Sequence, residues 1–417
     1  MPSDPPFRRR DFRLLLLGQT TSQLGAQVSA VAIPLLAVVT LQASPMQLGL
    51  VTASGTVAFA LIGLPAGAWI DRCRRRPVLV AADLARAVLL ATIPLAALLG
   101  TPTLAHLVLV SLLSGVARVF FDVGYQSYLP SVVGRAELLA GNSAMETVRA
   151  GGQLVGPGLG GWATTLLGAA NVVLIQAVTF AVSAVSLLAI RTREPAAPSR
   201  TDGVRLGTQI RDGLAFVART RLLRAILLTS AACNFSFAMA SAVSFIFMVR
   251  TIGLPPTVIG IVLALGSVTV MIGAALTPRL ARRFGSARII WLSLAVTGPV
   301  TLLGPLAGPG WAAALLVVGT AAGELGQIVY AVTSVSLRQH LCPGHLLGRV
   351  NATMRCFMMG LFPLGALLGG MLGEVAGPRA TLWAAGAIIV LSPLPVHVAL
   401  RGVRDVEDVP PWNADRG

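Results

Sequence analysis

The feature that most constrains this chain is a succession of apolar runs, each about 20 residues long, the length needed to cross the hydrocarbon core of a bilayer as a helix. Twelve can be placed, at 14–39, 46–70, 77–99, 104–124, 144–167, 170–190, 223–248, 256–277, 288–306, 311–335, 350–373 and 379–400. A backbone surrounded by lipid must satisfy its own polar groups, and a helix does so within one segment. The expected fold is therefore an all-α membrane protein. Composition agrees: 55% of residues are hydrophobic and 12% charged, against about 25% charged in a soluble domain. The first run lacks the small-residue cleavage site of a signal peptide.

The charge is one-sided. The chain is +16 and every basic residue is Arg. Without Lys there can be no phosphate loop of the G-x-x-x-x-G-K-[ST] type and no Lys Schiff base. A basic excess can signal nucleic-acid binding, but here the arginines gather at the ends of apolar runs, so nucleic acid is not an expected partner. The Arg-only habit suggests a GC-rich, bacterial genome. With the N-terminus inside, 26 arginines fall in the inner segments: Arg8, Arg9, Arg10 and Arg13; Arg72, Arg74, Arg75 and Arg76; Arg135; Arg191 to Arg224 in and beside the central loop; Arg279, Arg282, Arg283 and Arg288; Arg338 and Arg349; and Arg401, Arg404 and Arg416. The outer segments hold 2, Arg250 and Arg379. By the positive-inside rule this places both termini in the cytoplasm of a cell whose plasma membrane the chain crosses.

The organisation expected is an N-terminal tail 1–13, a six-helix half 14–190, a central loop 191–222 with an amphipathic stretch near Leu206–Ala218, a second six-helix half 223–400 and a disordered tail 401–417. An internal repeat supports the division. At an offset of 209, Asn142 falls on Asn351, Gly156 on Gly365, Gly160 on Gly369, Gly161 on Gly370 and Gly168 on Gly377. Near an offset of 207, Arg72, Arg75 and Arg76 fall on Arg279, Arg282 and Arg283. Two parallel halves related by an axis along the membrane normal are a transporter architecture.

Two motifs carry a family resemblance. The loop after the second run reads Gly67-Ala68-Trp69-Ile70-Asp71-Arg72-Cys73-Arg74-Arg75-Arg76-Pro77. It resembles motif A of the major facilitator superfamily, G-x-L-x-D-R-x-G-R-[RK], with Arg74 where the family has a second glycine. The fifth run contains Gly152-Gln153-Leu154-Val155-Gly156-Pro157-Gly158-Leu159-Gly160-Gly161. It is similar to the antiporter motif of drug exporters in that superfamily, g-x-x-x-G-P-x-x-G-G. The same glycines fit a dinucleotide fingerprint, which would require a preceding strand. Two further segments, Phe121–Pro130 with Leu138–Asn142, and Leu337–Gln339 with Leu347–Thr353, look like the branch containing macrolide and enterobactin exporters. The resemblance implies the major facilitator fold of two pseudo-symmetric six-helix halves. It also implies a gate formed by Gly67, Asp71, Arg72, Arg75 and Arg76, latching near Gly348–Asn351. Asp83 and Arg86, at i, i+3 on the third run and close to the Arg loop, are expected to support that gate in preference to contacting substrate. The antiporter motif goes with export.

Polar groups within the runs are the candidate substrate or proton sites, since a charge at the bilayer centre costs about 2.5–3.5 kcal/mol. Gln19, Gln23 and Gln27 share one face of the first helix at i, i+4, i+8, where they could contact substrate or a neighbouring helix. Arg118 and Asp122 can pair one turn apart. Glu324, with Gln327 and Tyr330 following on its helix, has no basic residue within a turn. A carboxyl withdrawn from water in this way can take up a proton, which makes it the first candidate for coupling or for binding a cationic drug, with pairing to Arg118 or hydrogen bonding to backbone the alternatives. Glu146 and Arg355 coincide under the repeat and could pair across halves or reach the membrane interface by snorkelling. Asn234 lies among Phe235, Phe237, Phe245 and Phe247, an aromatic wall suited to amphipathic molecules or to packing. The four Cys and four His have no metal-ligand spacing. The expected protein is a monomeric secondary transporter, not an enzyme and without a bound cofactor. It would export an amphipathic small molecule against a returning proton. The alternatives are an importer or a lipid or siderophore transporter on the same fold, or a non-transporting scaffold.

Overall fold

A computed structural model describes residues 9–70, 73–133, 137–192, 214–342 and 344–409. Among these the secondary structure is helical, and twelve long helices follow one another: α1 (Arg10–Leu35), α2 (Pro45–Ile70), α3 (Arg75–Leu98), α4 (Leu104–Val133), α5 (Leu138–Leu167), α6 (Ala169–Ala189), α7 (Arg221–Ile246), α8 (Pro256–Phe284), α9 (Arg288–Thr301), α10 (Ala314–Leu341), α11 (Gly344–Ala376) and α12 (Pro378–Leu391), then a short α13 (Leu394–Ala399). Among the described residues eleven stretches are long and apolar enough to cross a membrane. The helix outside that group is α5, whose glycines and polar first half dilute its hydropathy. Every expected run is helical, but 379–400 is broken at 392–393 into α12 and α13 and 288–306 at 302–303, and the remaining differences are at the ends. Thus α4 continues to Val133, α5 begins at Leu138 and α11 at Gly344, because polar residues that ended the apolar run still carry helical hydrogen bonds. At 1.5 Å per residue the 30 residues of α5 extend about 45 Å, beyond the roughly 30 Å hydrocarbon core.

The chain divides into two compact units, Met1–Thr201 with Leu254–Ala264, and Asp202–Gly253 with Leu265–Gly417. Inside the first, α1 packs on α5 and α6, and α3 on α4 and α6. Inside the second, α7 packs on α11 and α12, and α9 on α10 and α12. These four pairings recur six helices later. Local geometry repeats as well. Both α1 and α7 end in a π-helical turn, Leu36–Thr40 and Phe247–Ile252, and Pro45 and Pro256 open the helices that follow. Gly168 and Gly377, matched at offset 209, both take positive φ (79° and 89°) immediately before α6 and α12. That conformation favours glycine, which is why the match falls there.

One expectation is corrected. The C-terminal tail is not disordered from Arg401. It is ordered to Val409 and includes a one-turn 3₁₀ helix at Val406–Asp408, closed by reciprocal Asp405 and Asp408 hydrogen bonds. Val406 and Val409 are buried in the core cluster of the second unit, beside residues such as Leu341, Cys342 and Val350. Two apolar anchors placed three residues apart outweigh the acidic and proline-containing composition on which the expectation rested. Of the central loop, Leu206 to Asp212 lies outside the described residues, and 214–219 is helical.

Candidate functional site

In the first unit the glutamine face of α1 and the glycine motif of α5 prove to be one interface. A Cβ at Gly156 would stand 2.3 Å from Gln27 Cβ, and one at Gly160 2.4 Å from the Val28 carbonyl oxygen. At Gly152 a Cβ would fit in ordinary contact with Gln27 Cγ (3.7 Å) and the Gln23 carbonyl oxygen (3.8 Å). Only glycine lets two helix backbones approach this closely. Gln27 is therefore a packing side chain against the motif, while Gln19 is buried beside the Tyr125 phenol. The motif also has a second face. A Cβ at Gly161 would lie 2.4 Å from the Pro256 carbonyl oxygen, and one at Gly260 2.6 Å from that of Pro157. Thr165 and Thr257 hydroxyls meet at 2.8 Å. Thus Gly156 and Gly160 serve α1, and Pro157 and Gly161 serve the first turns of α8. The second unit reuses the first arrangement. Gly365 and Gly369 of α11 would bring a Cβ to 2.6 Å from the Phe235 and 2.5 Å from the Met239 carbonyl oxygens of α7.

Charged residues in α3 and α4 form two pairs of different character. Asp83 and Arg86 are both buried and hydrogen-bonded to each other. The Arg86 guanidinium also lies over the rings of Phe121 (4.5 Å) and Phe180 (4.1 Å), and Asp83 meets Ser183 of α6. This pair is wrapped by α4 and α6 and holds the core of the unit. Arg118 and Asp122 pair at 3.5 Å on a much more exposed face of α4. Of the gate residues, Asp71 and Arg72 lie outside the described residues, Gly67 is placed on α2, and Arg75 opens α3. Arg76 has a definite role: its Nε donates to the Leu187 carbonyl at 2.8 Å and its Nη2 to that of Leu188, closing the last turn of α6. A cation there also complements the helix dipole.

The first half of α5 carries a polar stripe that the sequence reading did not isolate. Asn142, Glu146, Arg149 and Gln153 recur at i, i+4, i+7, i+11, a spacing visible in the sequence. Glu146 pairs with Arg149 on its own helix, and Arg149 Nη1 donates to Gln153 Oε1 at 3.1 Å. Asn142, Ser143, Glu146, Thr147 and Ala150 line an open cavity of about 480 Å³. Polar side chains exposed along a membrane helix face water rather than lipid.

In the second unit Glu324 lies on α10, its Cγ within 3.7 Å of the position a Gly266 Cβ would take on α8. Among the described residues it makes no hydrogen bond and no ion pair. Tyr330, two turns on, is structural: it donates to the Ile226 carbonyl of α7 at 3.0 Å and meets Ser230 Oγ at 2.7 Å. Gln327 is partly buried between them. The polar groups of α7 are mostly spent internally. Asn234 donates to the Ser230 carbonyl (2.9 Å), Ser236 to Ala385 (2.6 Å), Ser241 to Ala238 (2.8 Å) and Ser244 to Ala240 (2.6 Å). Of its aromatic wall, Phe247 is buried and Phe237 exposed. Arg355 is exposed on α11 and Glu146 is held by Arg149. No group of three or more metal-ligating side chains occurs among the described residues.

Twelve long helices, glycine-mediated backbone contacts and polar groups reserved for a few faces define a multi-pass membrane transporter. The comparisons agree. The family model of the Major Facilitator Superfamily matches residues 15–363 and 227–416, and the chain belongs to that family. It is 30% identical over 392 residues to the multidrug efflux pump Tap of Mycolicibacterium fortuitum, covering 90% of this chain and 92% of the relative. It is 26% identical to the uncharacterised transporter YfiS of Bacillus subtilis, covering 93% of each chain. Among solved structures it resembles a mutant of the nucleoside transporter NupG, with TM-score 0.77 and 13% identity over 94% of this chain and all of that one. A bacterial homologue of the iron transporter ferroportin, inward-facing, gives 0.76 and 18% over 93% and 98%. At those identities the structures speak to the fold. The membership makes this chain a transporter and not an enzyme.

Proposed function

We propose that this transporter exports an amphipathic small molecule by alternating access, driven by a proton moving the other way. It would act as a monomer in a bacterial plasma membrane, with both termini in the cytoplasm. The resemblance to multidrug efflux pumps supports export of drug-like molecules, as does the glycine motif of α5.

The observation that carries proton coupling is the isolation of Glu324. The other acids within the long helices are all engaged: Asp11 accepts from Thr192, Asp83 pairs with Arg86, Asp122 with Arg118 and Glu146 with Arg149, and Glu374 also has an interaction. Glu324 has none among the described residues. A carboxyl with no cation to hold its charge, set in an apolar helix, can accept and release a proton as its access to water changes. Cationic amphiphiles would use the same carboxylate.

The test is export from proteoliposomes under an imposed pH gradient, using a panel of cationic and neutral drugs. Wild type should accelerate export when protons can return, and Glu324→Gln should lose the acceleration while retaining flux down a substrate gradient. A wild type indifferent to the pH gradient would overturn proton coupling. A Glu324→Gln protein that still responds would remove Glu324 from the mechanism.

A further inference from the structure

The N-terminus of α9 lacks a cap of its own. The residue before the helix is Ala287, no side chain caps it locally, and its first turn holds no acid. The first N–H groups of any helix have no partner inside it. Here Ile289 and Ile290 donate back to the Gly285 and Ala287 carbonyls, while the amide of Arg288 and those of the two residues before the helix are met from more than a hundred residues away. The Ser286 amide donates to Asp405 Oδ1 at 2.9 Å, and the Ala287 and Arg288 amides donate to the Arg404 carbonyl at 3.0 and 3.2 Å. In return the Val406 amide donates to Ser286 Oγ at 2.8 Å. Gly285 makes the approach possible: its φ is +98°, and a Cβ there would stand 2.4 Å from the Arg404 carbonyl oxygen. Asp405 and Glu407 bring negative charge to the positive end of the helix dipole.

The far side of the same segment is anchored elsewhere. Val406 and Val409 are buried in the core cluster of the second unit. His340 Nε2 near the end of α10 donates to the Val409 carbonyl at 3.0 Å. Just before the segment, Arg221 at the start of α7 donates to the Val398 carbonyl at 3.1 Å, which fixes α13, the helix that the segment continues. The turn the segment grips follows Arg279, Arg282 and Arg283, the counterparts at offset 207 of the arginines in the gate motif.

We propose that residues 401–409 are a clasp that caps α9 in place of a local residue and joins the α8–α9 turn to α10 and α13. The three then open and close as one cooperative piece during transport. The claim that this matters for turnover rests on the transport reading above; the clasp itself does not.

Hydrogen exchange on the full-length protein in detergent or nanodiscs tests it. Asp405→Ala should speed exchange of the amides of 286–288 about fivefold, the effect expected for losing a helix cap. Asp405→Asn keeps an acceptor oxygen and should stay near wild type. His340→Ala touches none of those amides, yet cooperative opening predicts faster exchange at both 286–288 and 403–409. Exchange in α1–α6 should not change, which separates release of the clasp from global unfolding. Unchanged exchange at 286–288 in Asp405→Ala would overturn the cap, and a His340→Ala effect confined to 403–409 would overturn the cooperative piece. Where wild type transports a substrate, Asp405→Ala should slow turnover at retained binding, and undiminished turnover would overturn the functional claim. A wild type that transports nothing would count against the transport reading and leave the exchange result standing.

Discussion

Alanine at Gly160 should be far more damaging than alanine at Gly151, nine residues earlier on the same helix. The added Cβ at position 160 would meet the Val28 carbonyl oxygen at 2.4 Å, with Val28 C and Cα at 3.1 Å. Ordinary carbon–oxygen contact begins near 3.3 Å, so α1 and α5 must separate by roughly 1 Å or tilt. The obstacle is backbone, so no rotamer change relieves it. Overpacking of this kind costs about 1–3 kcal/mol. At Gly151 a Cβ meets nothing within 4 Å, and replacing a mid-helix glycine stabilises by about 0.5–1 kcal/mol. For a unit of about 200 residues, each kcal/mol moves the melting temperature by about 2–4 °C. Heating purified protein in detergent and following the monodisperse fraction by size exclusion should show Gly160→Ala melting several degrees below wild type, with Gly151→Ala level or slightly above. If Gly160→Ala melted with wild type, or Gly151→Ala fell as far, the close approach of α1 and α5 would not be what the motif provides.

Two further outcomes follow from the buried polar contacts. Asp83→Leu should destabilise by about 3–5 kcal/mol, since it leaves the Arg86 charge buried between Phe121 and Phe180 without its carboxylate. Adding Arg86→Met should restore most of the loss, and a double variant no better than the single would refute that account. Tyr330→Phe removes the donor to the Ile226 carbonyl and should cost about 1 kcal/mol in the same melting assay, with pH-driven export unchanged; a loss of coupling instead would move Tyr330 from packing into the proton path.

The helices were legible because lipid imposes one local rule. A spanning segment must be apolar, about 20 residues long and helical, and each of those properties can be read from neighbours in the chain. Their ends were less legible, because Asn142 and Ser143 ahead of the fifth run, and His345 and Arg349 ahead of the eleventh, interrupt the apolar pattern yet lie within the helix. The internal repeat was legible at positions where one residue type is required, such as Gly168 and Gly377 with positive φ, and Gly156 and Gly365 at close backbone contacts.

The site was less legible. Spacing put Gln27 on the same face as Gln23, but only packing showed that this face meets Gly156 and Gly160. Pairing of Asp83 with Arg86 followed from i, i+3 spacing; its enclosure by Phe121 of α4 and Phe180 of α6 did not. The sequence by itself determined a helical membrane transporter, because hydropathy and glycine motifs are properties of short segments. Tertiary structure alone decided which polar residues are occupied in packing, that Glu324 stands apart from them, and that the tail returns to cap α9. Those depend on which segments meet, and Ser286, which Asp405 holds at the start of α9, lies more than a hundred residues away, where no local pattern records it.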